Sequence, residues 1–310
     1  MYDFIVTGGC GFIGSHFIEL ILKKGFRVLN IDKMTYVSWE NIGFENHPHY
    51  SFLKADISEI SNLPKCDYLI NFAAESFVDN SIENSEEFFR SNVNGVHNLL
   101  EHIRMKAKFD RPLFFQVSTD EVYGDIIDGV FTEEDYLKPS NPYSATKAAA
   151  EQFVYAYNRT YGIDYIITRC SNNFGCRQYP EKLIPKVIMS ALAGRSMTIH
   201  GDGSYVRSWV HVEDHCEAIL ALVESEKRNQ VYNICSGDEA SNLEVVNLIY
   251  ERMNIEPKLQ FVENRWGQDL RYAISTNKIE KDINWKSRFK LKETIDEVIK
   301  FYKDKYEKNS

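Results

Sequence analysis

Six short runs rich in β-branched and aromatic residues punctuate the first 170 residues: DFIVTG, FRVLNID, SFLKADI, DYLINFA, RPLFFQVS and DYIITRC. Between them lie longer segments with helical periodicity, among them FIGSHFIELILKKG, SEEFFRSNVNGVHNLLEHI and YSATKAAAEQFVYAYNRTYG. Strands that alternate with helices imply right-handed βαβ crossovers and a parallel sheet. That rhythm predicts an α/β chain whose residues 1–170 form a Rossmann-type, doubly wound parallel sheet. It loosens over residues 171–310, where loops such as NNFGCRQYPEKL and HGDGSYVRSW precede a short strand, VYNIC, and a helix, NLEVVNLIYERM. A smaller mixed α/β region is expected there, partly interleaved with the first and covering one sheet edge. The closing KDKYEKNS reads as a solvated, fraying tail.

The first strand runs into TGGCGFIG, residues 7–14. Gly8, Gly11 and Gly14 permit a tight turn, a close approach of backbone to a pyrophosphate, and close packing of the next helix. The N-terminus of that helix offers unpaired N–H groups to phosphate. Alone, the glycines fit a simple turn as well. Asp32 adds weight, since it ends the second strand eighteen residues past Gly14, where an acid hydrogen-bonds the adenosine ribose and disfavours a 2′-phosphate. The reading is an NAD site, with Lys33 weakening the preference over NADP slightly. Asp56, ending the third strand, suits either the adenine amino group or a turn cap.

Tyr143 and Lys147 stand four apart in NPYSATKAAAE, behind a helix cap at Asn141 and a proline at the first turn. That spacing puts both on one helix face, where an ammonium favours phenolate and lowers a phenol from its usual ~10. Taken alone, the pair reads as an amphipathic helix with a chance tyrosine and lysine; the glycine turn upstream favours the chemical reading. STDEVYG, residues 118–124, follows the apolar strand PLFFQV and sets Thr119 beside two adjacent acids, Asp120 and Glu121. Adjacent charges are usually solvated, yet these stand where a buried strand runs out.

TGGCGFIGSHF, AAESFVDNSI, STDEVYG, NPYSATKAAAE, RCSNNFGCRQYPEKLIPK and VRSWVHVEDH together resemble successive motifs of the nucleotide-sugar 4,6-dehydratases, extended short-chain dehydrogenase/reductases whose best-known member acts on dTDP-glucose. The resemblance covers roughly residues 1–275. It implies an NAD-dependent lyase that oxidises a hexose at C4, expels the C6 hydroxyl as water and reduces C6. It makes Glu121 the base at C5, Asp120 the acid at O6, Thr119 a hydrogen-bond partner of O4, Tyr143 the redox base, and Lys147 the holder of the nicotinamide ribose. Phe12, Ile13, Ile57, Ala73 and Ala74 join Gly8, Gly11, Gly14, Asp32, Lys33 and Asp56 as implied cofactor contacts. Ser76, Asn172, Glu181, Lys182, Leu183, His200, Arg207, Arg265 and Gln268 are implied substrate contacts, which makes residues 171–310 mainly the substrate-binding region. Arg177 and Arg271 fall at phosphate-contact positions too, although Arg177 fits a solvated surface equally. A homodimer through two helices per subunit is also implied.

Several substrate-shell positions depart from the dTDP-glucose pattern: Phe77 replaces a histidine, His200 a tyrosine, and Trp266 and Gln268 a proline and a histidine. These departures imply the same chemistry on dTDP-glucose or on a UDP- or GDP-linked glucose or N-acetylglucosamine. A 4-epimerase or uronic acid decarboxylase of the same fold would share Tyr143 and Lys147 without needing the acid pair. A dinucleotide-binding sensor without turnover is the other alternative; such proteins commonly lose the Tyr/Lys pair.

Bulk composition narrows the partners. A net charge of −9 argues against nucleic acid and anionic membranes. The six cysteines form no CxxC pair and no zinc spacing, so no metal is expected and the thiols read as reduced. No apolar stretch approaches the ~20 residues of a membrane helix, and the first strand leaves no room for a signal peptide. The cytoplasm is the expected compartment.

Overall fold

The computed structural model describes residues 1–38, 43–264 and 266–309. The strands β1 (Tyr2–Thr7), β2 (Val28–Asp32), β3 (Tyr50–Lys54), β4 (Cys66–Asn71), β5 (Leu113–Thr119), β6 (Tyr165–Cys170) and, from the second half of the chain, β10 (Gln230–Ile234) form one sheet. Their order is β10-β6-β5-β4-β1-β2-β3, parallel throughout. The expected doubly wound sheet is therefore present, with its switch point between β1 and β4, where such sheets open a crevice beyond the strand ends.

Alternation along each strand assigns the two faces. Phe4 and Val6 pack with α1 (Phe12–Lys23), α7 (Val212–Glu224) and α9 (Asn277–Ile283). Ile5 turns the other way, towards α4 (Gly95–Arg104) and α5 (Pro142–Tyr161). β5 is buried along its whole length. A fully buried Phe114 or Phe115 contributes about 1.5–3 kcal/mol relative to exposure. The short helices α2 (Val78–Glu83) and α3 (Glu86–Phe88) and a π-helical turn, Phe89–Asn94, lead into α4.

The capping expected for α5 is realised. Asn141 Oδ1 accepts from the Ser144 N–H at 3.0 Å, Pro142 occupies the first turn, and Gly162 closes the helix at φ 66°.

The second half is more ordered than its sequence suggests. The stretches read as loops contain β7 (Asn172–Phe174) and most of β9 (Val206–His211), and β8 (Met197–His200) runs into the second of them. With β11 (Asp238–Ser241), β7 and β9 make a three-stranded sheet, and β8 pairs with β12 (Leu259–Val262). The helices α6 (Leu183–Leu192), α8 (Asn242–Met253) and α10 (Leu291–Asn309) build a separate apolar cluster beside them. The supposed tail is the last part of α10. Leu291, Ile295, Val298, Ile299 and Tyr302 recur at helical spacing and are buried, which anchors the helix despite its charged outer face. Among the described residues no helix is long and apolar enough to cross a membrane, and no group of three or more His, Cys, Asp or Glu could hold a metal ion.

Candidate active site

A long cleft runs along the carboxyl ends of the strands. Its first wall is the glycine turn. Gly8 has φ +71°, and a Cβ there would stand 2.6 Å from the Ala73 nitrogen; at Gly14 it would stand 2.4 Å from the Gly8 oxygen. The backbone must stay bare at both points. Gly8, Gly11, Phe12, Ile13 and Gly14 all line the cleft, where α1 begins.

Asp32 follows on the same wall. One of its oxygens accepts from the Cys10 N–H at 2.9 Å, the other from the Met34 N–H at 2.8 Å, so the carboxylate is clamped between turn and strand end. Lys33 reaches across to Glu75 at 2.8 Å and Ser91 at 2.9 Å. Asp56 takes the turn-capping role, accepting from Ser58 N–H at 2.9 Å, and also faces the cleft. Ile57, Ala73 and Ala74 continue that wall.

Thr119, Glu121, Tyr143 and Lys147 converge at the other end of the cleft. Thr119 ends β5, and its hydroxyl accepts from the Glu121 N–H at 3.3 Å. Asp120 lies behind the wall, 2 % exposed. Burial first, and then the Glu121 charge, raises its carboxyl to about 8, against pulls from Arg207 and Thr119. Asp120 therefore holds a proton at neutral pH, and its Oδ2 has no partner among the described residues.

Lys147 Nζ donates to the Val117 carbonyl at 2.7 Å, and burial lowers the ammonium to about 8. The phenol of Tyr143 behaves differently from the sequence expectation. Burial, followed by the negative charge of Glu121, holds it well above its ordinary value; only the Thr119 hydrogen bond pulls it down. The ammonium that was expected to lower it is committed to the strand carbonyl.

Three more buried polar groups on this part of the wall, Ser118 Oγ, Ser171 Oγ and Trp209 Nε1, lack partners among the described residues. Buried polar atoms are seldom left unpaired, so this wall suits a ligand rich in hydroxyls.

The substrate positions divide into two groups. Ser76, Asn172, Glu181, Lys182 and Leu183 line the cleft. Lys182 donates to the Ser76 carbonyl at 2.7 Å and sits 5.3 Å above the Phe77 ring, while Glu181 accepts from the Tyr36 hydroxyl at 2.8 Å. His200, Arg207 and Gln268 lie off the cleft wall. His200 Nδ1 is 3.3 Å from the Glu263 carbonyl. Arg207 is buried, stacked 4.2 Å from the Tyr272 ring and donating to the Asp269 carbonyl at 2.9 Å. Gln268 keeps a buried Oε1 with no partner among the described residues. Arg265 lies outside the described residues. Arg177 turns to Glu19 on α1 at 2.6 Å, and Arg271 forks onto Glu239 at 2.8 Å.

With this geometry in view, comparison with known proteins is specific. The family model described as GDP-mannose 4,6 dehydratase matches residues 5–298. The chain belongs to that family. It is a nucleotide-sugar 4,6-dehydratase by descent, within the extended short-chain dehydrogenase/reductases. Low-salt glycan biosynthesis protein Agl12 of Haloferax volcanii is 44% identical over 97% of this chain and 98% of its own length. A dTDP-glucose 4,6-dehydratase of Xanthomonas campestris pv. campestris (strain B100) is 38% identical over 97% and 93%. The crystal structure of DesIV, a dTDP-glucose 4,6-dehydratase from Streptomyces venezuelae with NAD and TYD bound, superposes with TM-score 0.93 at 34% identity, covering 97% of each chain.

The dehydratase cleft has walls that sequence reading passed over. Cys170, Asn173, Tyr179 and Trp209 line it, as does Glu75. Cys170 and Asn173 flank the Asn172 already singled out, so the motif RCSNNF carried a signal for them. Tyr179 and Trp209 arrive through loops and a short strand whose path no periodicity announces.

Proposed function

We propose that this dehydratase uses NAD to convert a nucleoside-diphosphate hexose into its 4-keto-6-deoxy sugar, with Thr119, Asp120, Glu121, Tyr143 and Lys147 as the working residues. The observation that carries this assignment of roles is the buried, proton-holding Asp120 directly behind Glu121, which lines the cleft together with Tyr143. Elimination needs a base and an acid together, and two neighbouring carboxyls in unequal surroundings supply both. An epimerase or decarboxylase has no use for that pair.

The glycine turn, the clamped Asp32 and the cap at Asp56 fit a dinucleotide along the first wall. When bound, NAD would supply the hydride acceptor and donor that the redox chemistry at C4 and C6 needs, and in its oxidised form a positive charge that favours phenolate. Tyr143 takes the O4 proton, helped by Thr119. Glu121 then takes the C5 proton, which the new C4 carbonyl has acidified. The C6–O bond breaks as Asp120 donates its proton, and the hydroxyl leaves as water. As C6 gains its hydride, the proton on Glu121 goes back to C5; Tyr143 then gives up the O4 proton to solvent and Asp120 takes one from it, which restores both groups.

The test is incubation with dTDP-, UDP- and GDP-linked glucose, mannose and N-acetylglucosamine, and with a UDP-linked uronic acid as the control for decarboxylation, read by mass and by the C4 configuration of the product. Loss of one water from any of them is the expected result. Loss of carbon dioxide from a uronic acid, or epimerisation at unchanged mass, would replace this reading. The dTDP-linked sugars come first on the panel, since a relative described as a dTDP-glucose 4,6-dehydratase spans 97% of the chain. We also propose that a second copy packs on α4 and α5, a reading supported by the exposed Ala145 and Ala156 and the His97–Phe153 contact at 5.7 Å on those helices. Light scattering showing a monomer would remove it.

A further inference from the structure

Behind the acid pair lies a buried ionic group that the chemistry above does not use. Arg169 of β6 and Glu151 of α5 have side chains 3 % and 0 % exposed and meet at 2.6 Å. The guanidinium contacts Glu151 through Nε as well, at 3.1 Å to the same oxygen and 3.2 Å to the other. Its remaining nitrogen, Nη1, donates to the Tyr123 hydroxyl at 2.7 Å. That hydroxyl in turn donates to Asn233 Oδ1 on β10 at 2.8 Å. The Tyr123 ring lies 4.7 Å below the guanidinium and stacks on Phe131 at 5.0 Å.

The chain positions make this arrangement informative. Tyr123 follows Glu121 by two residues, on the short 3₁₀ turn that carries both acids. Glu151 follows Lys147 by four and Tyr143 by eight, on the same helix. Ser118, Arg169 and Asn233 stand side by side across β5, β6 and β10, one step before the strand ends. A single guanidinium thus ties the turn bearing the acids to the helix bearing the phenol and amine.

A buried ion pair is a poor source of stability, because desolvating both charges offsets their attraction; apolar residues of equal size would hold the fold as well. What apolar contacts do not supply is direction. A planar guanidinium fixes distance and angle to each partner at once.

Resting on the dehydratase reading, we propose that Arg169, Glu151 and Tyr123 are positioning residues that keep Asp120 and Glu121 in register with Tyr143 and Lys147, so that elimination follows C4 oxidation before the 4-keto hexose is lost. None of the three touches the reacting atoms. Their contribution is alignment between two half-sites on separate elements, where a shift of about 1 Å costs on the order of 100-fold in rate.

The test uses the enzyme, wild type and Tyr123→Phe, with a nucleotide-linked hexose that wild type dehydrates, taken from the dTDP, UDP and GDP forms of glucose, mannose and N-acetylglucosamine. Tyr123→Phe keeps the ring stack and removes both hydroxyl bonds. Single-turnover absorbance of the reduced cofactor reports C4 oxidation, and mass reports water loss. The expected result is unchanged bound NAD and melting temperature, oxidation within about threefold of wild type, and elimination slowed on the order of 10- to 100-fold, so that reduced cofactor persists and unreacted 4-keto hexose escapes. Arg169→Lys, which keeps the charge and loses the fork, is expected to move the same ratio in the same direction. Elimination at the wild-type rate in both variants would overturn the proposal. So would oxidation and elimination falling together in proportion to lost NAD or lost melting temperature, which is the signature of a purely structural role. If wild type itself dehydrates none of the dTDP-, UDP- and GDP-linked glucose, mannose and N-acetylglucosamine forms, the dehydratase reading fails first and takes the proposal with it.

Discussion

Lys147 Nζ donates to the carbonyl oxygen of Val117, 2.7 Å away, two residues before the strand end that carries Thr119. The contact fixes the amine against the sheet and leaves Tyr143 to the field of the acids. Lys147→Met removes the charge and that anchor together. C4 oxidation is expected to slow by about 10²- to 10³-fold, measured as the initial rise of reduced-cofactor absorbance. An oxidation rate near wild type would show that Lys147 has no part in the redox step.

Asp120 must keep its proton to act as an acid, and Lys147 must keep its charge. Both lose a proton around pH 8. The dehydration rate is therefore expected to fall on the alkaline side from about pH 8, and more steeply than a single ionisation allows, approaching a hundredfold per pH unit well above it. A kcat profile flat to pH 9.5 would contradict both assignments.

Replacing either acid by its amide tests their separate roles. Asp120→Asn and Glu121→Gln are each expected to slow water loss by about 10²- to 10⁴-fold while NAD remains bound. The readouts are product mass and cofactor content after gel filtration. Near-normal turnover in either variant would refute the role given to that residue.

Asp120 also carries a stability signature. Its carboxyl rises from 3.8 to about 8 in the folded chain. Between those values the folded state binds a proton that the unfolded state releases, so stability falls as pH climbs through the window. Asp120→Asn lacks this penalty. Its melting temperature is expected to gain on wild type by about 2–5 °C more at pH 8 than at pH 5, read by scanning fluorimetry. A gap that is constant, or that narrows with pH, would rule out a buried proton at this position.

The glycine turn makes a prediction about binding. A methyl group at Gly14 would stand 2.4 Å from the Gly8 oxygen, against backbone that cannot step aside. Gly14→Ala is expected to weaken NAD binding at least ~10-fold, a loss of about 1.4 kcal/mol, by calorimetry. Unaltered affinity would separate the turn from the cofactor.

The parallel sheet and the reactive cluster were both legible before any coordinates, and for related reasons. Alternating strands and helices leave one economical topology, and Thr119 and Asp120 stand where a buried strand must end. Lys147 and Tyr143 were legible as a helical pair, whereas the direction of the phenol's shift was not. That direction depends on which acids face it and how deeply they are buried, and neither is written in spacing. β7 and β9 were hidden for another reason: β7 has only three residues, too few for alternation to show, and β9 follows directly on the glycine-bearing HGDGSY, which reads as loop. α10 was misread at its end because charge was counted where the apolar positions, Ile295, Val298 and Tyr302, set the outcome.

β10 reaches the central sheet from residues 230–234 and pairs with β6, which ends at Cys170. During synthesis, a nascent chain of 170 residues therefore has every strand of the nucleotide half except the one that shields its flank. Until sixty more residues emerge, β6 presents unpaired, apolar backbone of the kind that recruits neighbouring chains. A gene cut at the apparent boundary is expected to yield aggregates rather than a small soluble binder.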